Sequence, residues 1–216
     1  RMVTDTIFAL SSGAPPAAIG VIRVSGPRAG AALEALTGRL PDPRRASFAR
    51  LRDAGGEVVD EALVLWLPGP NTETGEDVAE LQCHGGRAVI GAVEAALAVL
   101  PGLRRAGPGE FTRRAFVNGK IDLAQAEGLA DLLEAETELQ RQTAMAMAGG
   151  GFSRRVEGWR AELLRLSAAL EAVLDFSGDD DVATLPVDFA VQIGALEAQL
   201  AAWLDRPRAE ALREGF

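Results

Sequence analysis

One cysteine, Cys83, and one histidine, His84, are all that 216 residues supply, so neither an internal disulfide nor a four-ligand zinc site can be built within one chain. A reducing compartment suits such a sequence. No run of eighteen apolar residues occurs and the N-terminus has no cleavable apolar core, so a soluble, cytoplasmic protein without a membrane partner is expected. Positive charge is scarce as well. The 22 Lys and Arg stand against 31 Asp and Glu, a formal net charge of −9, which excludes a broad electrostatic grip on a phosphate backbone by this chain alone. The phosphate-loop signature is also missing. Gly119-Lys120 comes nearest, but Arg114 stands where its first glycine belongs and Ile121 where Ser or Thr is required, so nucleotide triphosphate hydrolysis is not expected here.

What is present is an ordinary globular composition, 48% hydrophobic and 25% charged. Arg1, which precedes Met2, is set aside from the fold reading. Thr6 to Leu10, Ile19 to Val24, Phe48 to Arg52, Ala62 to Trp66 and Val78 to Gln82 are short, apolar or alternating runs bounded by turn residues, and read as strands of a mixed sheet. Between them, Ala31, Leu33, Leu36 and Leu40, and later Val89, Val93, Leu97 and Leu100, recur near helical spacing, predicting helices over Gly30–Leu40 and Ala88–Leu100. Residues 2–121 therefore read as an α+β domain.

From Leu123 the pattern becomes helical, and 122–216 reads as an all-α arm. Trp159, Leu163, Leu166, Leu170, Val173 and Leu174 form the stripe of a long amphipathic helix. Gly149-Gly150-Gly151 interrupts the helical half, each glycine costing about 1 kcal/mol against alanine in a helix interior, so a kink, a weak point or a close helix contact is expected there. The acidic turn Ser177 to Asp181 should end that helix. A further one over Val187–Arg213 carries Val191, Leu196, Leu200, Trp203 and Leu204, and should bend at Pro207. Such stripes need a cover from missing sequence or a partner.

Two charges lie inside predicted strands: Arg23 in Gly20–Val24 and Glu80 in Val78–Gln82. Each needs a partner, because a lone buried charge is costly. They fit either a structural ion pair or solvent-reaching strand ends, or a ligand pocket in which a carboxylate accepts two N–H groups of a planar heterocycle and a guanidinium holds an anionic or carbonyl group. Gln82-Cys83-His84-Gly85-Gly86 runs from strand into helix, where glycines permit close backbone approach and a helix N-terminus favours an anion. His84 fits a structural or dimer-contact role, or catalysis. Cys83 fits a small buried residue better than a nucleophile, since no second histidine exists to activate it. Lys120 is a cation beside Asn118 and Asp122, either solvated or lining a site. Pro108 to Glu127 is dense in charge and turn residues yet runs straight into a strongly helical pattern, more specification than a surface loop needs.

Gly20-Val21-Ile22-Arg23-Val24-Ser25-Gly26, Trp66–Asn71, Thr74–Gly86 and Pro108–Glu127 together resemble, in order, segments of the MnmE/TrmE family of tRNA-modification GTPases. The acidic turn after Leu174-Asp175-Phe176 and the terminal Leu212-Arg213-Glu214-Gly215 resemble the family's helical domain and its junction to a G domain. The resemblance implies a tetrahydrofolate-binding-like N-terminal domain that forms a homodimer and binds 5-formyl- or 5,10-methylene-tetrahydrofolate through Arg23, Glu80 and Lys120. It also implies a flavin-dependent partner protein and tRNA as substrate, with a one-carbon unit contributing to an aminomethyl-type group at C5 of the wobble uridine. GTP, magnesium and potassium would belong to a G domain that, with further helices and a C-terminal cysteine motif, is expected beyond the residues present here.

Overall fold

The computed structural model describes residues 5–175 and 184–205. Two compact units divide the chain after Ile121.

In the first unit, β1 (Thr6–Leu10), β2 (Ile19–Ser25), β3 (Ser47–Arg52), β4 (Val58–Leu67), β5 (Val78–His84) and β6 (Leu103–Arg105) form one sheet in the order β3-β4-β5-β2-β1-β6. Every pairing is antiparallel except β1 with β6, so the sheet is mixed. Period-2 alternation sends Ile22 and Val24 of β2, Ala62, Val64 and Trp66 of β4, and Ala79, Leu81 and Cys83 of β5 into one core. Helix α1 (Ala29–Thr37) meets that core through Ala29, Ala32, Leu33 and Leu36, and α2 (Arg87–Ala98) through Ile90, Val93, Ala96 and Leu97. The spacings are i, i+3, i+4 and i+7 in α1 and i, i+3, i+6 and i+7 in α2, one face of each helix. Both helices therefore cover the same side of the sheet. The opposite side exposes Ile19, Phe48 and Leu63 but buries Ile7, Ser25 and Val78, so it is covered in part.

The charge-dense segment before the helical half, to which the sequence pattern assigns no element, holds a helix, α3 (Glu110–Val117). Its buried residues are Glu110, Arg114 and Ala115, so its inward stripe is ionic and leaves no apolar period to read. The three-residue β6 also escapes a pattern search.

In the second unit, α4 (Leu123–Glu134) and α5 (Glu138–Ala148) each begin with a capping box: the Asp122 side chain accepts from the Gln125 backbone, and that of Thr137 from Gln140. A hydrogen bond from Ser153, with that from Gln125 N–H, holds the Asp122 carboxyl below its ordinary range. The glycine triplet separates two helices instead of kinking one. Gly149 caps α5, Gly150 has φ +73°, and α6 (Gly151–Asp175) starts immediately after. Helix α7 (Phe189–Leu204) ends before Pro207, and both that proline and the acidic turn at 177–181 lie outside the described residues. Trp203 of α7 stacks on Phe152, meets Trp159 edge-on, and lies 4.8 Å under the guanidinium of Arg155. Of the α6 stripe only Leu166 is buried, and Leu163, Leu170 and Leu174 are exposed.

Candidate functional site

Arg23 and Glu80 face each other directly in the β2–β5 register. Because Ile22, Val24, Ala79 and Leu81 turn toward the helices, Arg23 and Glu80 stand on the side of the two central strands that faces away from α1 and α2. Arg23 donates to Glu80 Oε1 twice, from Nε at 3.0 Å and from Nη2 at 2.7 Å. Oε2 is outside this pairing. The side chains are 27% and 15% exposed, so the pair is sheltered yet reachable. Arg23 Nη2 also lies 3.5 Å from Glu73, a residue that sequence reasoning passed over.

Glu73 belongs to the β4–β5 connection, and this loop is pinned at several points. The Thr74 hydroxyl bonds that of Ser25 at 2.7 Å, Ser25 donates to Glu76 at 2.7 Å, and Asn118 Nδ2 donates to the Thr74 carbonyl at 2.7 Å. Lys120, the only lysine in the chain, reaches the same loop. A Cβ added to Gly75 would come within 2.9 Å of Lys120 Cε, and Gly75 has φ +76°. Glycine there satisfies both the left-handed backbone and the close passage of the lysine stem. Arg23 and Glu80 thus touch, while Lys120 borders the loop that carries Glu73.

Below this loop sits an ionic network centred on Arg114, whose side chain is 2% exposed. Its Nη1 donates to Glu76 and to the Asp5 carbonyl, and its Nη2 to Asp5 Oδ1 and Glu110. Arg104 closes the circuit with two bonds to Glu110 and one to Asp5, and Gly107 N–H adds another to Glu110. Hydrogen bonds from Arg104, then from Gly107, outweigh burial and hold the Glu110 carboxyl at about 2. For Asp5, burial pushes upward but Arg104 and Arg114 prevail and lower it. Carboxyls depressed in the fold stabilise it above their ordinary pKa of about 4.5 and lose that contribution as pH falls toward 2. Glu110→Gln is therefore expected to remove on the order of 3 kcal/mol at pH 7 and to flatten the acid limb of stability between those pH values, as read by urea unfolding at stepped pH. An unchanged acid limb would rule out Glu110 as its source.

His84 Nδ1 pairs with Asp60 Oδ1 at 2.7 Å, and the His84 backbone N–H reaches Asp60 Oδ2 at 2.8 Å. Asp60 is buried and His84 exposed, which fits the hydrogen-bonded histidine among the roles considered. Cys83 is buried, and burial together with the nearby Asp60 charge pushes its thiol up to about 12, which leaves it without nucleophilic character near neutrality. Gly85 is explained by packing: a Cβ there would meet the Ala17 carbonyl oxygen at 2.5 Å. Among the described residues no cluster of three or more His, Cys, Asp or Glu could hold a metal, and no helix is long and apolar enough to cross a membrane. A groove of about 650 Å³ in the helical unit, lined by Arg154, Arg155, Trp159 and Leu196 among others, contains none of Arg23, Glu80 and Lys120.

The family profile described as GTP-binding protein TrmE N-terminus matches residues 6–120, and that described as MnmE helical domain matches 123–216. The chain belongs to the TrmE/MnmE family. It is similar to proteins named tRNA modification GTPase MnmE, at 66% identity to that of Novosphingobium aromaticivorans over 99% of this chain and 51% of the relative. Against Erythrobacter litoralis the identity is 63% over 98% and 50%, and against Rhizorhabdus wittichii 59% over 98% and 49%. The chain thus spans about half the length of these MnmE relatives. The two family segments meet at residues 120–123, where the structure changes from sheet unit to helical unit.

Proposed function

We propose that this chain is the folate-binding and dimerising portion of a tRNA-modification GTPase. The complete protein would work in the cytoplasm with a flavin-dependent partner to place an aminomethyl-type group on C5 of the wobble uridine, drawing its one-carbon unit from tetrahydrofolate. GTP hydrolysis, with magnesium and potassium, belongs to a G domain outside these residues, and this portion alone is expected to show none because no phosphate loop is present.

The observation that carries the reading is the half-sheltered Arg23–Glu80 pair on the side of the sheet away from α1 and α2, with Glu80 Oε2 outside the pairing. A pterin presents an amino group and a ring N–H beside a carbonyl oxygen, so a carboxylate next to a guanidinium matches that edge. Glu80 would accept the N–H groups, and Arg23 and Lys120 would meet the remaining polar atoms. Titration calorimetry with 5-formyltetrahydrofolate should give saturable heat, and Glu80→Ala should weaken binding roughly 10- to 100-fold, the range for a hydrogen bond to a charged group. No heat from the unaltered protein, or equal affinity in the variant, would overturn this assignment.

Exposed Ile19, Phe48 and Leu63 on the same side of the sheet support the dimerising role, and also a second reading in which the domain is an interaction scaffold without ligand. Light scattering and thermal melts with and without folate separate the two. A dimer whose stability ignores folate favours the scaffold.

A further inference from the structure

We infer that Glu73 is an internal competitor for Arg23, occupying in the free chain the place that an acceptor group of the ligand takes when it binds. The inference rests on the folate reading of the Arg23–Glu80 site and adds a residue that sets its affinity. Three observations carry it.

Arg23 Nη2 is shared: it donates to Glu80 Oε1 at 2.7 Å and approaches Glu73 Oε1 at 3.5 Å. The first contact is a short charge-assisted hydrogen bond and the second a loose ion pair, so the Glu73 side is the one that can yield. Burial agrees, since the Glu80 side chain is 15% exposed and that of Glu73 53%. A ligand edge anchored on Glu80 Oε2 lies beside Arg23, and its neighbouring acceptor would need the face of the guanidinium that Glu73 now approaches.

The third observation is mechanical. The next residue, Thr74, is 1% exposed and fixed by Ser25 through its hydroxyl and by Asn118 through its carbonyl. Glu73 can therefore swing its side chain away from a backbone that stays in place. Displacement needs only rotamer changes, with no loop opening, and the Lys120 stem across Gly75 is left undisturbed.

An exposed ion pair is worth a few tenths to about 1 kcal/mol, so relief from the competitor should be modest and measurable. Titrating 5-formyltetrahydrofolate into the 216-residue protein, Glu73→Ala is expected to bind roughly two- to fivefold tighter than the unaltered protein. That advantage should shrink at about 0.5 M salt, where the exposed pair is screened in the unaltered protein. Unchanged or weaker binding by Glu73→Ala, or an advantage indifferent to salt, overturns the competitor role while leaving the folate site standing. Absence of binding to the unaltered protein overturns both. A thermal melt of the alanine variant confirms that it is folded, as expected for a half-exposed side chain.

Discussion

Arg114→Met is expected to destabilise the sheet unit by about 3–5 kcal/mol, the range seen when one partner of a buried ionic network is removed. The guanidinium supplies hydrogen bonds to Asp5, Glu76 and Glu110, so its loss leaves three carboxylates converging without their central cation. Arg104 still neutralises Glu110 and Asp5, but Glu76 retains only the Ser25 hydroxyl. Urea unfolding combined with amide exchange on β1, β2 and β5 would read the effect. A second substitution sharpens the test: adding Glu76→Gln to Arg114→Met should recover part of the loss, because the two side chains share one interaction and their effects cannot add independently. A loss below about 1 kcal/mol, or strict additivity, would show that the network contributes little.

The second large effect is expected in the helical unit. A Cβ on Gly128 of α4 would come 2.5 Å from the backbone nitrogen of Ala148 and 2.6 Å from Met147 Cβ in α5. Backbone cannot rotate away as a side-chain tip can, so Gly128→Val must push the two helices apart. Overpacking of this kind typically costs about 1–3 kcal/mol, and contact with backbone puts this case toward the upper end. The unit has little to absorb it, since α4 to α7 bury only Gly128, Ala144, Leu166 and Leu196 as helical residues. Thermal melts followed at 222 nm should lose their helical component early, while amide protection in the sheet persists. Gly158→Ala is the control: nothing lies within 4 Å of its would-be Cβ, and alanine in a helix interior should add about 0.5–1 kcal/mol. Equal melting of both variants would remove the case for a tight α4–α5 crossing.

How much of this could be read in advance depended on the kind of signal. β1 announces itself as a short apolar run buried on both faces, β2 and β5 by alternation, and α1, α2 and α6 by apolar spacing; in β2, β5, α1 and α2 burial of one face makes those periods. Helix α3 has no such face. Its inward residues are Glu110 and Arg114, which give a pattern search no apolar period. The glycine triplet was visible as an interruption, but whether it bends one helix or separates two depends on Gly150 at φ +73°, a fact of backbone geometry. At the candidate site, Arg23 and Glu80 stood out as charges inside apolar strands. Their direct opposition follows from the β2–β5 register, which links positions 57 residues apart. Asp60 and Glu73 gave no signal, because each acquires its role only from a neighbour supplied by the fold.

Lys120 has a consequence beyond its place beside Gly75. A protease that cleaves only after lysine has a single peptide bond to attack among all 216 residues, the one joining Lys120 to Ile121. That bond lies one residue before the division between the two units. One cut there would place the sheet unit and the helices on two polypeptides, with the cation of the candidate site left as the last residue of the first.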